Sequence, residues 1–342
     1  MKLPRRQLFR LGAAGGVFGL MGALAWPLSK RLTAPARPAT AAGTLGPGDC
    51  IAGDGASGPA SAYAARYAPA AYLQPNARDF LHVPPPPRTG PSDGVQELTL
   101  PIIETTLEVA NRRNLRVWAY GGTVPGPILR ARLGERVRIT VTNHTDVAHS
   151  LHFHGAHAVM QDGIQRIPPR AAGIYDFIAA PAGLHPYHCH VPPYACHIGK
   201  GMYGALIVDP PEGRPPAHEF VLCLCGFDLD ATGRNDTSAW NGMAGYYERF
   251  PLKVPVGELV RIYLMNMVDE GAVGSFHLHA HTFDVFRSGT RLEPDEHTDL
   301  ITLGGAERAI LEFRLPRRGR YMFHPHQSFM AERGAMGWIV AV

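Results

Sequence analysis

Charge is scarce in this chain. Asp, Glu, Lys and Arg make up 18% of its 342 residues, against 45% that are hydrophobic, a balance that calls for a globular protein with buried cores. Acidic side chains are missing altogether from residues 1–41, which carry Lys2, Arg5, Arg6, Arg10, Lys30, Arg31 and Arg37. Removing those seven positive charges takes the formal +4 to −3, so nothing basic remains to suggest nucleic acid. Cysteines are few and odd in number, five, so at least one stays outside any disulfide within the chain.

The acid-free segment reads as an export signal. Arg5-Arg6-Gln7-Leu8-Phe9-Arg10 is a twin-arginine start, a Gly-rich apolar stretch follows, and Ala39-Thr40-Ala41 offers a small-residue cleavage site. This predicts an exported protein, periplasmic or extracellular. An uncleaved anchor is the alternative, since the apolar stretch is nearly long enough to span a bilayer. Residues 42–95 are rich in Pro, Gly and Ala, with Pro84-Pro85-Pro86-Pro87 near their end, and predict an extended lead-in rather than a domain. Tyr63, Tyr67 and Tyr72 within it are candidates to pack on a neighbouring surface.

Gly and Pro, at 38 and 31, are plentiful and favour many turns and an all-β fold. From about residue 96 the chain becomes short strands and turns. Val137, Ile139 and Val141 alternate on one face of a strand within 135–143, and Val260, Ile262 and Leu264 repeat the pattern within 254–266. Strands near Ile174–Ala179 and Ala309–Leu315 each lead through a Pro/Gly turn into a histidine motif, HPYHCH in one case and RYMFHPH in the other. Each half also has an HxH, at His152-Phe153-His154 and His277-Leu278-His279. Matching order in two halves is an internal duplication. It predicts two tandem Greek-key β-sandwiches, over 96–212 and 217–342.

With His149, which precedes the first HxH, ten of the 17 histidines fall in these clusters. On a strand, His-x-His points both imidazoles to one face, about 7 Å apart by the strand rise. Imidazole suits several metals, so the residue type alone names none. The first half adds a second pattern. His149, Cys189, His197 and Met202 supply two imidazoles, a thiolate and a thioether, the ligand set of a trigonal blue-copper site. Cys223 and Cys225 alternate along a strand and so share one face, as buried thiols would; a Cys50–Cys196 disulfide is left open by the spacing.

HSLHFHG at 149–155 and HCHVPPYACHIGKGMYG at 188–204 resemble the copper motifs of multicopper oxidases, whose domains are cupredoxin sandwiches. The resemblance covers about 96–342 and is to the two-domain, laccase-like members. It implies a type 1 copper held by His149, Cys189, His197 and Met202. It assigns His152 and His277 to a type 2 copper, and His154, His188, His190, His279, His324 and His326 to a type 3 pair. That makes four coppers per chain. Asp162, in Gln161-Asp162-Gly163, resembles the acidic residue that supplies protons to the cluster; a turn-forming Asp before Gly is the equal alternative.

The second half departs from the pattern. Gly274 stands where a type 1 His would precede the HxH, Pro325 replaces the Cys, and Ala331 or Glu332 falls near the second His position, so that only Met336 survives. A type 1 copper is expected in the first half alone. His144, His157, His185 and His281 lie near the motifs but outside the pattern.

The resemblance implies an oxidase. One-electron oxidation of a phenol, a metal ion or a redox protein would be coupled to four-electron reduction of dioxygen to water. With two domains, domain one of one chain would meet domain two of the next, and such a head-to-tail contact closes as a ring, expected to be a homotrimer. The rival within the fold is a copper-containing nitrite reductase, whose catalytic copper needs three histidines and whose motif lacks the His after Cys. A non-catalytic copper-binding protein is the rival from another class. The ten methionines are scattered, with no Met-rich insertion of the copper-tolerance kind.

Overall fold

A computed structural model describes residues 82–88, 94–157, 159–162, 165–269 and 273–342. The export signal, Cys50, the three lead-in tyrosines and most of the lead-in lie outside the described residues. Among the described residues, no helix is long and apolar enough to cross a membrane.

The first half folds as eight strands: β1 Val95–Ala110, β2 Arg113–Tyr120, β3 Leu129–Arg132, β4 Arg136–Asn143, β5 His152–Phe153, β6 Ala172–Ile178, β7 Gly183–His188 and β8 Tyr203–Asp209. They form two sheets, in the orders β2-β1-β4-β6 and β3-β8-β7-β5. The second half supplies β9 His218–Phe227, β10 Thr237–Trp240, β11 Leu252–Val254, β12 Leu259–Asn266, β13 Gly274–Leu278 and β14 Phe283–Arg287. It continues with β15 Glu296–Thr298, β16 Leu300–Leu303, β17 Arg308–Arg314, β18 Gly319–His324 and β19 Gly337–Ala341. Their sheet orders are β10-β9-β12-β17-β14-β15 and β11-β19-β18-β13-β16. Three short helices interrupt the strands: α1 Tyr194–Gly199, α2 Tyr246–Arg249 and α3 Ser328–Glu332. The all-β architecture expected from the turns and alternation is present, as the cupredoxin-like sandwiches that the resemblance implies.

Alternation explains the cores. Val137, Ile139 and Val141 of β4 are fully buried between the first pair of sheets, with Leu151, Phe153 and Phe177. Val260, Ile262 and Leu264 of β12 fill the second core, with Phe276, Phe283 and Trp240.

A third core joins the halves. Leu107, Val117, Tyr203 and Ile207 of the first meet Cys223, Cys225, Tyr263 and Met265 of the second. Strands β9 and β12 are therefore buried on both faces. Cys223 and Cys225 share a face, as their spacing requires, and lie as thiols in this seam with their Sγ atoms 3.8 Å apart.

A buried ion network closes one end of the seam. Arg130 bonds Asp209 at 2.8 Å and Glu219 at 2.6 Å. Arg261 bonds Glu219 at 2.8 Å and Glu312 at 2.6 Å, and the Tyr263 hydroxyl donates to Glu219 at 2.8 Å. Burial alone would raise the Glu219 carboxyl, but these donors hold it below the usual carboxylate range. The last stretch of the lead-in docks here too, since Arg130 donates to the Pro85 carbonyl at 2.7 Å.

Candidate metal centres

Four residues from three places converge on the first candidate centre. His149 lies on a short bridge to Ile167, Cys189 follows the last residue of β7, and His197 sits on α1. The Met202 amide donates to the His197 carbonyl, and the Cys189 amide to the Met202 carbonyl, both at 3.1 Å, which closes the loop. The Nδ1 atoms of His149 and His197 are 3.1 Å apart, and Cys189 Sγ is 3.2 Å from His197 Nδ1 and 3.9 Å from His149 Nδ1. All four side chains are fully buried.

The surroundings fix the ring states. Thr145 donates its hydroxyl proton to Asn143 Oδ1 at 2.8 Å, so its oxygen accepts from His149 Nε2–H at 2.9 Å. The lone pair of His149 is thereby left on Nδ1, facing the centre. Burial, with His197 nearby, pushes His149 down to about 2, and burial pushes His197 down to about 4, so both rings are neutral and able to bind a cation. Burial pushes the Cys189 thiol up to about 11. A buried thiol between two neutral imidazoles fits a soft cation that takes the thiolate and displaces its proton.

The first histidine quartet lies beside this centre. The His152 ring is 5.2 Å from that of His154, 5.1 Å from His188 and 5.4 Å from His190. The HxH rings are closer than the strand repeat of about 7 Å because His154 lies past the end of β5. His188 donates from Nδ1 to the Cys189 carbonyl at 2.9 Å, which leaves its Nε2 facing His154 Nε2, also at 2.9 Å. Two such nitrogens either compete for one proton or share a cation. His152 gives its Nδ1–H to Asp162 at 3.0 Å, turning Nε2 toward the quartet.

The second quartet repeats this plan. The His277 ring is 4.8 Å from His279 and 5.6 Å from both His324 and His326. His324 donates to the Pro325 carbonyl at 2.8 Å, and its Nε2 faces His279 Nε2 at 2.9 Å. The backbone amides of His190 and His326 each donate to a serine hydroxyl, Ser150 at 2.9 Å and Ser275 at 2.7 Å. Ligand atoms within 4.8 Å of one another form three groups, His149/Cys189/His197, His152/His154/His188 and His152/His157/Asp162. Among the described residues, no such group combines the two halves. His190, His279 and His326 are solvent-exposed.

In the second half, the counterpart of the Cys189 centre is apolar throughout. A Cβ on Gly274 would fall 2.5 Å from Leu224 Cδ2, so a histidine there needs space that Leu224 fills. Backbone bonding gives the register. The Ala335 amide donates to the Met330 carbonyl as that of Met202 donates to His197. Phe323 pairs with Gly337, which puts Met336 opposite His324, as Tyr203 is opposite His188. Met330, not Ala331 or Glu332, is therefore the counterpart of His197. Ala335, not Met336, is the counterpart of Met202. Counting along the sequence missed this because the second loop is three residues shorter, two of them lost before the helix and one within it, α1 being one residue longer than α3. Val268 replaces Thr145, since each donates its amide to an Asn side chain, Asn266 or Asn143, at 3.0 Å.

Two histidines outside the pattern join the site. His157 Nε2 lies 3.4 Å from both Asp162 Oδ1 and His152 Nδ1. His185 reaches the His154 carbonyl from Nδ1 at 2.7 Å. Their proximity to the motifs was the only sequence signal.

Models of multicopper oxidase domains match residues 89–213 and 226–342. The chain belongs to the multicopper oxidase family of copper oxidoreductases. A copper-containing nitrite reductase of Neisseria gonorrhoeae is 30% identical over 259 residues, 69% of this chain and 65% of the relative. The chain thus spans just under two thirds of that relative's length. Among solved structures, a multicopper oxidase superposes with a TM-score of 0.74 at 38% identity, covering 77% of this chain and 95% of the other. A copper nitrite reductase of Nitrosomonas europaea gives 0.69 at 28%, covering 73% and 94%.

Proposed function

We propose that this chain is an exported, laccase-like oxidase that couples one-electron oxidation of a reducing substrate to reduction of dioxygen to water. The observation that carries the reading is the pair of matched quartets. A nitrite reductase needs three histidines for its catalytic copper and would leave His190, His154, His279 and the pair His324/His326 without work. Here the main chain at His190 and at His326 is anchored alike, by Ser150 and Ser275.

In this reading His149, Cys189, His197 and Met202 hold the blue copper. His152 and His277 hold a type 2 copper, and the other six cluster histidines hold the type 3 pair. Copper supplies one-electron redox chemistry and binding of dioxygen. The residues do the rest. Cys189 is bonded along the main chain to His188 and His190, so electrons have a covalent path to the cluster. Asp162 fixes His152 and, half-exposed, can pass protons inward, with His157 beside it.

The halves of the cluster belong to different chains, because each quartet opens to solvent. Domain one of one subunit would meet domain two of the next, closing a homotrimer. Export by the twin-arginine segment is part of the same proposal.

The identities to nitrite reductases, 30% and 28%, favour the second reading. Copper-loaded protein given hydroquinone separates the two. Oxygen consumption without accumulated peroxide supports the oxidase, whereas nitrite reduction without oxygen uptake replaces it.

A further inference from the structure

All four proposed blue-copper ligands are fully buried, so an electron arriving from outside must cross a side chain that is not a ligand. One side chain touches both imidazoles. The Trp118 ring centroid lies 5.2 Å from His149 and 5.0 Å from His197. Trp118 is 5% exposed and stands on β2 with its indole N–H donated to Glu104 at 2.9 Å. Glu104 also pairs with the exposed Arg116, which brings the indole's polar edge to the surface.

The indole has a second neighbour. Lys200 Nζ lies 5.3 Å from the Trp118 ring centroid, and the Trp118 amide donates to the Lys200 carbonyl at 3.1 Å. Lys200 lines a cleft of about 210 Å³ with Leu115, Ile198, Asn235 and Asp269, where α1 faces the second half. A dry cavity of about 150 Å³ accepts one benzene ring, so this cleft has room for a small donor. The order from solvent inward is cleft, Lys200, Trp118, imidazoles.

We propose that Trp118 is the electron-entry residue, conducting from donors seated in the Lys200 cleft to His149 and His197. One electron would leave the donor, which is oxidised, and cross the indole toward the copper that His149 and His197 would hold, whose reduction by one electron balances the step. The indole ends unchanged, its N–H still on Glu104. This rests on the proposed blue centre alone. Its test is run without oxygen, so its failure and a failure of oxygen uptake are separate results.

The test uses copper-loaded, full-chain protein mixed anaerobically with hydroquinone or ferrocyanide, following the loss of blue colour. Trp118→Leu should bleach about tenfold more slowly, the scale of loss when reacting partners are held slightly out of place. Its colour per copper and reduction potential should stay unchanged, and Trp118→Phe should lose less. Copper loading of the apoprotein should quench indole emission, and Trp118→Phe should lack that part of the quench. Lys200→Gln should slow ferrocyanide severalfold more than uncharged hydroquinone. Bleaching at the parent rate in coloured Trp118→Leu overturns the proposal. If both Trp118 variants lose their colour, Lys200→Gln decides: the predicted split between donors upholds the route, and equal rates overturn it.

Discussion

The Thr145 hydroxyl accepts a hydrogen bond from His149 Nε2 at 2.9 Å, and at the same position the second half carries Val268. The threonine proton is committed to Asn143, whose own amide group is fixed by carbonyls of Val147, Ile167 and Pro168. This chain of donors leaves His149 one tautomer. Thr145→Val should therefore weaken copper binding at the blue site by about tenfold to a hundredfold, the usual cost of removing such a partner. Competition titration against a chelator, followed by the blue absorption, measures it. Undiminished affinity would mean that the ring is oriented by packing alone.

Cys189 is the one thiol placed between two imidazoles; Cys223 and Cys225 sit in the seam between the sandwiches. Cys189→Ser should remove the blue colour and abolish substrate oxidation while leaving the cluster histidines metallated. Copper analysis of the colourless variant checks the second half of that statement. Colour that persists removes Cys189 from the ligand set.

Glu219 is shared by Arg130, Arg261 and Tyr263 across the seam. Its folded pKa is lowered from the ordinary 4.5, so its contribution is fully present above that value and is lost as pH falls through the folded one. Glu219→Gln leaves two buried guanidinium groups with one fewer partner and should cost about 3 kcal/mol at pH 7, the lower end for a broken buried pair. The gap from the parent should narrow in acid. Urea unfolding at neutral and acid pH measures both, and a gap independent of pH would remove the charge from the explanation.

Much of the site was readable because its chemistry is local. His149 to His154 and His188 to Met202 are contiguous motifs, and their residue types state their use. What the sequence did not give came from pairings between distant segments. Met330 and Ala335 are placed as counterparts of His197 and Met202 by backbone register, which residue counting cannot supply when the two loops differ by three residues in length. Burial of β12 on both faces reflects a neighbouring sandwich, which the alternation of Val260, Ile262 and Leu264 on one face does not reveal for Tyr263 and Met265. Trp118 has no motif; only the fold carries β2 over the imidazoles.

Exposed apolar side chains flank both quartets. Met160 is 78% exposed on the turn before Asp162, and Phe329 is 46% exposed on the helix after His326. In the proposed head-to-tail ring these residues would lie on opposite sides of one junction, where apolar surface would be covered. Met160→Glu combined with Phe329→Glu places like charges there and should yield monomers. Light scattering should find those monomers blue but unable to consume oxygen. An active monomer would contradict a cluster shared between chains.

Copper content tests the assignment as a whole. The first half offers one complete blue set, and the two quartets offer eight histidines, two for a type 2 copper and six for a type 3 pair. Four coppers per chain are expected, one of them blue. A fifth would need a blue site in the second half, but Gly274, Val268, Pro325, Met330 and Ala335 line that place with one thioether and no imidazole or thiolate. Leu224 occupies the space that a histidine at 274 would enter. A nitrite reductase would bind two, leaving histidines of both quartets bare. Metal analysis with spin-resonance integration on fully loaded protein separates the three counts. Two per chain would transfer the reading to nitrite reduction, and five would mean that the second half recruits ligands from outside its apolar pocket. Four, with one blue, requires the two quartets to meet; among the described residues of one chain, no group of ligand atoms within 4.8 Å of one another joins them.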